Sequence, residues 1–193
     1  MRIGLDFHGV VVDNADMKAQ RAPYYGASTL TRSMFIKNTA VGRGAHQLSG
    51  RQYQALKVDI YWRPRIAHRV MVPVAGALRF MKRLIDEGHA LVIISSSSRK
   101  HMKIAGRWCA KNGLKVELVG IGMTRIDKSE AARQYNLDVF VDNDLEKLRT
   151  LVGVVPKRYL FNGYGEKRVP VNGIAIRVSS WDELYHSLRK LNT

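Results

Sequence analysis

Apolar positions along the chain fall in short runs separated by polar turns, and the runs alternate in period. Ile3 to Leu5 and Val10 to Val12 enclose the polar turn Asp6-Phe7-His8-Gly9, so a buried strand is predicted to end on a carboxylate. From Asn14 to about Val72 the periodicity weakens. Pro23-Tyr24-Tyr25-Gly26, Gly42-Arg43-Gly44 and Ser49-Gly50 punctuate that stretch, which reads as an irregular, partly helical insertion. Pro73 then fits the first turn of a helix, and Val74, Ala77, Leu78, Met81, Leu84 and Ile85 recur at helical spacing until Gly88. Strand and helix alternate from there: Ala90 to Ile94 a buried strand, Lys100 to Asn112 a helix stopped by Gly113, Val116 to Val119 a strand, Lys128 to Tyr135 a helix, Val139 to Val141 a strand. Tyr159 to Phe161 and Ile174 to Val178 read as short strands, and Ser180 caps a last helix running to about Leu191, with Glu183 at the capping-box position. The expected fold is α/β, a three-layer Rossmann-like parallel sheet covered by helices on both faces, with ligand chemistry outside the carboxyl ends of its strands. Residues 1–13 and 73–193 form the expected core domain, and 14–72 a small, mainly helical insertion.

Charge changes the picture most. Thirty-two Lys and Arg stand against sixteen Asp and Glu, a formal charge of +16 in 193 residues, with a pI near 10.3. Such a field draws polyanions, because neutralising phosphates releases condensed counterions. The excess is concentrated between Asn14 and Val72, where ten Lys or Arg face only Asp16 and Asp59. Arg63, Arg65 and Arg69 cluster beside Tyr61 and Trp62, a mixture suited to stacking bases and pairing phosphates, and Tyr24 and Tyr25 near Arg21 make a second such group. The competing reading is that these aromatics bury the insertion's own small core while the charges solvate it.

No apolar run approaches the roughly 18 residues of a membrane span, so no membrane role is expected. A strand starting almost at Met1 leaves no room for a targeting peptide, and a cytoplasmic location is the expectation. Cys109 is the one cysteine, which excludes an internal disulfide or thiolate metal site and reads as a buried thiol. His46, His68, His89, His101 and His186 show no metal-ligand spacing and read as ordinary helix or surface residues.

Three polar groups distant in sequence fall where the expected sheet gathers them: Asp6 after the first strand, Ser95 after the Ala90 strand, Asp142 after the Val139 strand. Two carboxylates at neighbouring strand ends repel unless a cation lies between them, and hard oxygen ligands with solvent space suit Mg²⁺. Asp6-Phe7-His8-Gly9-Val10 resembles motif I of the haloacid dehalogenase-like (HAD-like) superfamily. Ser95 after Leu91-Val92-Ile93-Ile94 resembles motif II, Lys128 at the start of a helix the motif III lysine, and Val139-Phe140-Val141-Asp142-Asn143-Asp144 the acidic motif IV. The insertion falls where that family places its C1 cap, and the layout is similar to that of small nucleotidases.

The resemblance implies a role for each matching position. Asp6 is the expected nucleophile, forming an aspartyl-phosphate. Ser95, Ser96, Arg99 and Lys128 bind phosphate oxygens, and Mg²⁺ is held by Asp6, the backbone carbonyl of His8, Asp142 and, as a weaker candidate, Asp144. The chain departs from the pattern at His8, where family phosphatases carry the aspartate that acts as general acid and base. An imidazole can also protonate a leaving alkoxide and then activate water, so His8 is the expected acid/base. Asp13 either enters the site or caps the next helix, Glu146 is a weak metal candidate, and Asp127 is expected as a helix cap. The expected activity is a Mg²⁺-dependent phosphomonoesterase acting on a nucleotide or a nucleic-acid terminal phosphate. The alternative is a catalytically impaired fold that binds RNA or DNA through the basic insertion. The sequence leaves the natural substrate and the oligomeric state open.

Overall fold

The computed structural model describes residues 1–26, 48–62, 71–122, 124, 126–162 and 171–191. Six strands form one all-parallel sheet: β1 (Arg2–Leu5), β4 (Ala90–Ser98), β5 (Glu117–Gly122), β6 (Val139–Asp142), β7 (Lys157–Phe161) and β8 (Ile176–Val178), in the order β5-β4-β1-β6-β7-β8. The first strand in the chain is thus interior, bonded to β4 through Ile3↔Leu91 and Leu5↔Ile93 and to β6 through Ile3↔Val139 and Leu5↔Val141. The order reverses at β1, and in open α/β sheets that switch point is where ligands bind.

Period-two alternation sorts each strand between two cores. Leu5, Ile93, Val141 and Phe161 face one layer, packed by α3 (Ala77–Asp86), α4 (Arg99–Lys111) and α7 (Trp181–Arg189). Val92, Ile94, Phe140 and Leu160 face the other, packed by α5 (Lys128–Gln134) and α6 (Leu145–Arg149). On that second face β1 has only Gly4, because a Cβ there would lie 2.5 Å from Phe140 and Leu137 side-chain carbons.

The insertion leaves and re-enters the core through two adjacent short strands, β2 (Val12–Asp13) and β3 (Val72–Pro73), paired antiparallel as Val12↔Pro73 and Asp13↔Val72. Between them lie α1 (Ala15–Arg21), a 3₁₀ turn (Ala22–Tyr25) and α2 (Gly50–Trp62). Ala15, Ala22, Leu48, Leu56 and Ile60 make a small separate core there, and Arg21 pairs with the buried Asp59 at 3.9 Å. Two indoles tie the re-entry to the core: Trp108 Nε1 donates to Met71 O at 2.9 Å and Trp181 Nε1 to Val10 O at 2.8 Å.

Three local expectations are corrected. Pro73 does not open a helix; it sits in β3, and the helix begins at Ala77 after Gly76, whose φ of 82° lies outside helical space. The Ala90 strand does not stop at Ile94; it runs through the serines to Ser98. Ser180 caps α7 by accepting from Glu183 N at 3.0 Å, but the Glu183 carboxylate reaches Ser179 N at 2.7 Å, one residue earlier than a capping box requires. Cys109 is buried as expected, and desolvation pushes its thiol up to about 12. Among the described residues no helix is long and apolar enough to cross a membrane.

Candidate active site

The carboxyl ends of β1 and β6 deliver Asp6 and Asp142 to one place, Ser95 lies on β4 just past the register at which β1 ends, and the N-terminus of α5 brings Lys128 to the two carboxylates. Lys128 Nζ donates to Asp6 Oδ1 at 2.7 Å and to Asp142 Oδ2 at 2.5 Å, with the lysine side chain 4% exposed. Burial alone would push this ammonium's pKa down, yet the charges of Asp142 and Asp6 outweigh it and hold the pKa above the ordinary lysine value. Asp142 Oδ1 accepts from Asp144 N at 2.9 Å, which fixes the carboxylate's plane. Asp6 has its Oδ1 on Lys128 and its backbone N donating to Val141 O at 2.9 Å.

The turn after Asp6 is tightly wound. Val11 N and Val12 N both donate to Phe7 O, at 3.1 and 2.9 Å, and Gly9 N donates to Val12 O at 2.7 Å. Gly9 has φ +93°, and a Cβ on it would lie 2.0 Å from the Asn143 amide, so the turn seats directly on the Asp142-Asn143-Asp144 loop. His8 is half-buried and its Nδ1 lies 2.8 Å from the Asn14 side-chain amide. This contact occupies Nδ1, while Nε2 is buried, beside the His101 ring.

His101 packs its ring edge-on to His8, with centroids 5.0 Å apart. It is 2% exposed, and desolvation lowers its pKa from 6.5 to about 4, so it is uncharged at neutral pH. Of the two readings of His101, surface or helix residue, the structure gives the helix one, with the side chain buried. The signal was present: on α4, His101, Ile104, Ala105 and Trp108 share the inward stripe. Asn14 was treated only as a boundary of the insertion, and no one-dimensional pattern marks its contact with His8.

The serine run is strand with a register shift: Ser95 pairs with Gly120 but Ser98 with Gly122. A Cβ on Gly122 would lie 2.6 Å from Ser96 O, so β5 must be bare there for the bulge to form. Ser95 is buried and donates to Ser97 Oγ at 3.1 Å, whereas Ser96 is exposed. Arg99 is exposed at the start of α4, beyond that loop. Asp127 and Asp144 cap their helices, accepting from Glu130 N at 2.9 Å and Glu146 N at 3.2 Å. Asp13 accepts from Ala15 N at 2.9 Å, the capping alternative of its two readings, and Glu146 turns outward to Arg149 at 3.5 Å. Arg63, Arg65 and Arg69 lie outside the described residues, as do the side chains of Tyr61 and Trp62.

Among the described residues no set of three His, Cys, Asp or Glu side chains is arranged around a metal position. Mg²⁺ keeps several waters and is commonly bound through one or two carboxylates plus substrate phosphate, and Asp6 with Asp142 meets that smaller requirement. One ammonium against two carboxylates also leaves the pair a net negative charge, which fits a second cation.

No family model matches the chain, and no curated protein matches it in sequence. Solved structures do match in fold. A HAD family hydrolase from Deinococcus radiodurans with bound phosphate and sodium aligns at TM-score 0.68 and 15% identity, over 99% of this chain and 96% of that one. A D,D-heptose 1,7-bisphosphate phosphatase from B. bronchiseptica, complexed with magnesium and phosphate, aligns at 0.56 and 14% over 99% of each. A beta-phosphoglucomutase from a hyperthermophilic Pyrococcus aligns at 0.57 and 17%, over 98% of this chain and 97% of that one. The chain therefore has the HAD-like fold, a Rossmann-type parallel sheet with a helical insertion.

Proposed function

We propose that this protein is a Mg²⁺-dependent phosphomonoesterase working through an aspartyl-phosphate, with a nucleotide or a nucleic-acid terminal phosphate as substrate, in the cytoplasm. The observation that carries the reading is the buried bridge from Lys128 to both Asp6 and Asp142 at the sheet's switch point. Asp6 attacks phosphorus in line, the P–O bond to the leaving group breaks, and the His8 imidazole gives the departing alkoxide its proton. His8 then takes a proton from water, which attacks the acyl phosphate and releases inorganic phosphate with Asp6 restored. Lys128 holds the Asp6 carboxylate in place, and Ser95 and Ser96 offer hydroxyls to the transferring oxygens. The uncharged His101 ring places no like charge beside a protonated His8. Asp6, the His8 carbonyl, Asp142 and, less directly, Asp144 would hold Mg²⁺, whose chemistry is to offset charge on the phosphoryl oxygens. Residues 14–72 act in this reading as a cap, with Arg63, Arg65, Arg69, Tyr61 and Trp62 meeting the substrate.

The substitution at His8 favours a second reading, a fold that has lost turnover and binds RNA or DNA. Phosphate release from nucleoside monophosphates, terminally phosphorylated oligonucleotides and an aryl phosphate separates the two, measured with Mg²⁺ or EDTA. Turnover that needs Mg²⁺ and vanishes in Asp6→Asn supports the enzyme. Turnover absent in the wild type and gained in His8→Asp identifies a fold that has lost turnover, and salt-dependent RNA or DNA binding indifferent to Asp6→Asn then supports the second reading.

A further inference from the structure

Helix α4 carries Arg99, Lys103, Arg107 and Lys111 at intervals of four residues, all exposed, and holds no acidic residue. None of the four has an ion pair among the described residues. Like charges at that spacing destabilise a helix, and cations in the first turn oppose its dipole. Lys111 in the last turn complements the helix dipole, but Arg99 and Lys103 gain nothing from it, and an external polyanion is what they suit. Successive members stand about 6 Å apart along the helix, given its rise per residue.

The first half of this ridge forms one wall of a cleft of about 480 Å³ that runs beside β5, an edge strand of the sheet. Arg99 and Lys103 stand on the ridge side, Met102, Leu118 and Ile121 give an apolar lining, and Gln134 and Tyr135 stand on the α5 side. Cations beside an apolar surface with polar groups opposite match the parts of an unpaired polynucleotide: phosphates for the ridge, base faces for the apolar lining, base edges for Gln134. A duplex would offer the cleft phosphates alone. Along the chain the cleft's lining leads to the candidate active site: Ile126 is two residues before Lys128, and Arg99 follows the serine bulge directly.

We propose that the α4–β5 cleft binds single-stranded polynucleotide, whose terminal phosphate reaches the Asp6 site. The binding stands on the ridge and cleft; the placement of the terminal phosphate rests on the phosphatase reading. Anisotropy of a labelled, terminally phosphorylated single-stranded oligonucleotide with the full chain, in EDTA across a KCl series, tests the binding without turnover. Arg99→Ala/Lys103→Ala removes two phosphate contacts at the cleft, so the slope of log K against log salt should fall by about 1.4 and the affinity at 0.1 M by about 25-fold. Lys157→Ala/Arg189→Ala, on β7 and α7, should change neither by a comparable amount, and a duplex of the same sequence should bind more weakly. Equal losses in both variants would mean that only net charge is felt, and the cleft is then not a track. No loss in the first variant, or equal binding of the duplex, overturns the proposal as well. Phosphate release from mononucleotides is followed separately. Its absence alongside cleft-dependent binding removes the phosphatase reading and keeps the track, and release without cleft-dependent binding does the reverse.

Discussion

Replacing Lys128 by methionine keeps the side chain's length and removes its charge from between two buried carboxylates. At an effective dielectric constant of about 20, each of the contacts at 2.7 and 2.5 Å is worth roughly 6 kcal/mol of Coulomb attraction. Most of that only offsets the desolvation of the ammonium, and breaking a buried ion pair by removing one partner costs about 3–5 kcal/mol net. For a chain of 193 residues this corresponds to a fall in Tm of roughly 6–20 °C, at about 2–4 °C per kcal/mol. The sign with pH follows from which group titrates. The folded pKa of Lys128 is raised, so its stabilisation is fully present below the unfolded value of about 10.4 and lost only as pH rises through the folded one. At pH 7.5 the wild type therefore has all of it and Lys128→Met has none. Thermal unfolding in EDTA at pH 7.5 measures this, together with a cycle through Asp6→Asn and Asp6→Asn/Lys128→Met. The double variant should lose less than the sum of the singles by about 1–3 kcal/mol. A Tm change below 2 °C at neutral pH, or strict additivity in the cycle, would show that the bridge does not carry the energy assigned to it.

Two further outcomes follow from other parts of the site. Gly122→Ala places a Cβ within 2.6 Å of Ser96 O and 2.7 Å of Ser97 C, both backbone, so the serine bulge must shift. Phosphate affinity should fall at least tenfold by isothermal titration while the far-UV CD spectrum is unchanged, and unchanged affinity would rule out a role for the bulge. His101 is held neutral, with a pKa lowered from 6.5 to about 4, so below pH 6.5 the unfolded chain takes up a proton that the folded chain refuses. Stability then drops by about 3 kcal/mol by pH 4 on this account, and His101→Leu should flatten the urea-unfolding free energy between pH 6.5 and 5, whereas an equal slope in both proteins would refute it.

The sheet was legible because its strands are pure apolar runs whose odd and even positions both find a core; Val139, Phe140 and Val141 could be nothing else. Asp6, Lys128 and Asp142 were legible too, since each follows or begins such an element and a parallel sheet must gather those ends. What the chain hid were contacts between elements. Pro73 carries two meanings, helix start or edge strand, and only its pairing with Val12 selects one. The serine run ends in strand because Gly120 and Gly122 on a neighbour leave room for it, a condition set more than twenty residues away. His101 shared its helix's buried stripe, but its meeting with His8 depends on how α4 packs against the turn after β1.

The central place of β1 also bears on how the chain comes off the ribosome. The strand that both β4 and β6 must flank is made first, and its neighbours follow only with residues 90 and 139. At about 5–20 residues per second, Ile3, Leu5 and Phe7 wait on the order of 4–17 s for the first of them. Through that interval a sticky nascent segment has no native lattice to join, so its safe passage depends on chaperone cover or on contacts with the segments made just after it. A polypeptide released early, before residue 139, would carry Asp6 with no carboxylate opposite it and an open strand edge. Such fragments should be aggregation-prone and inert together.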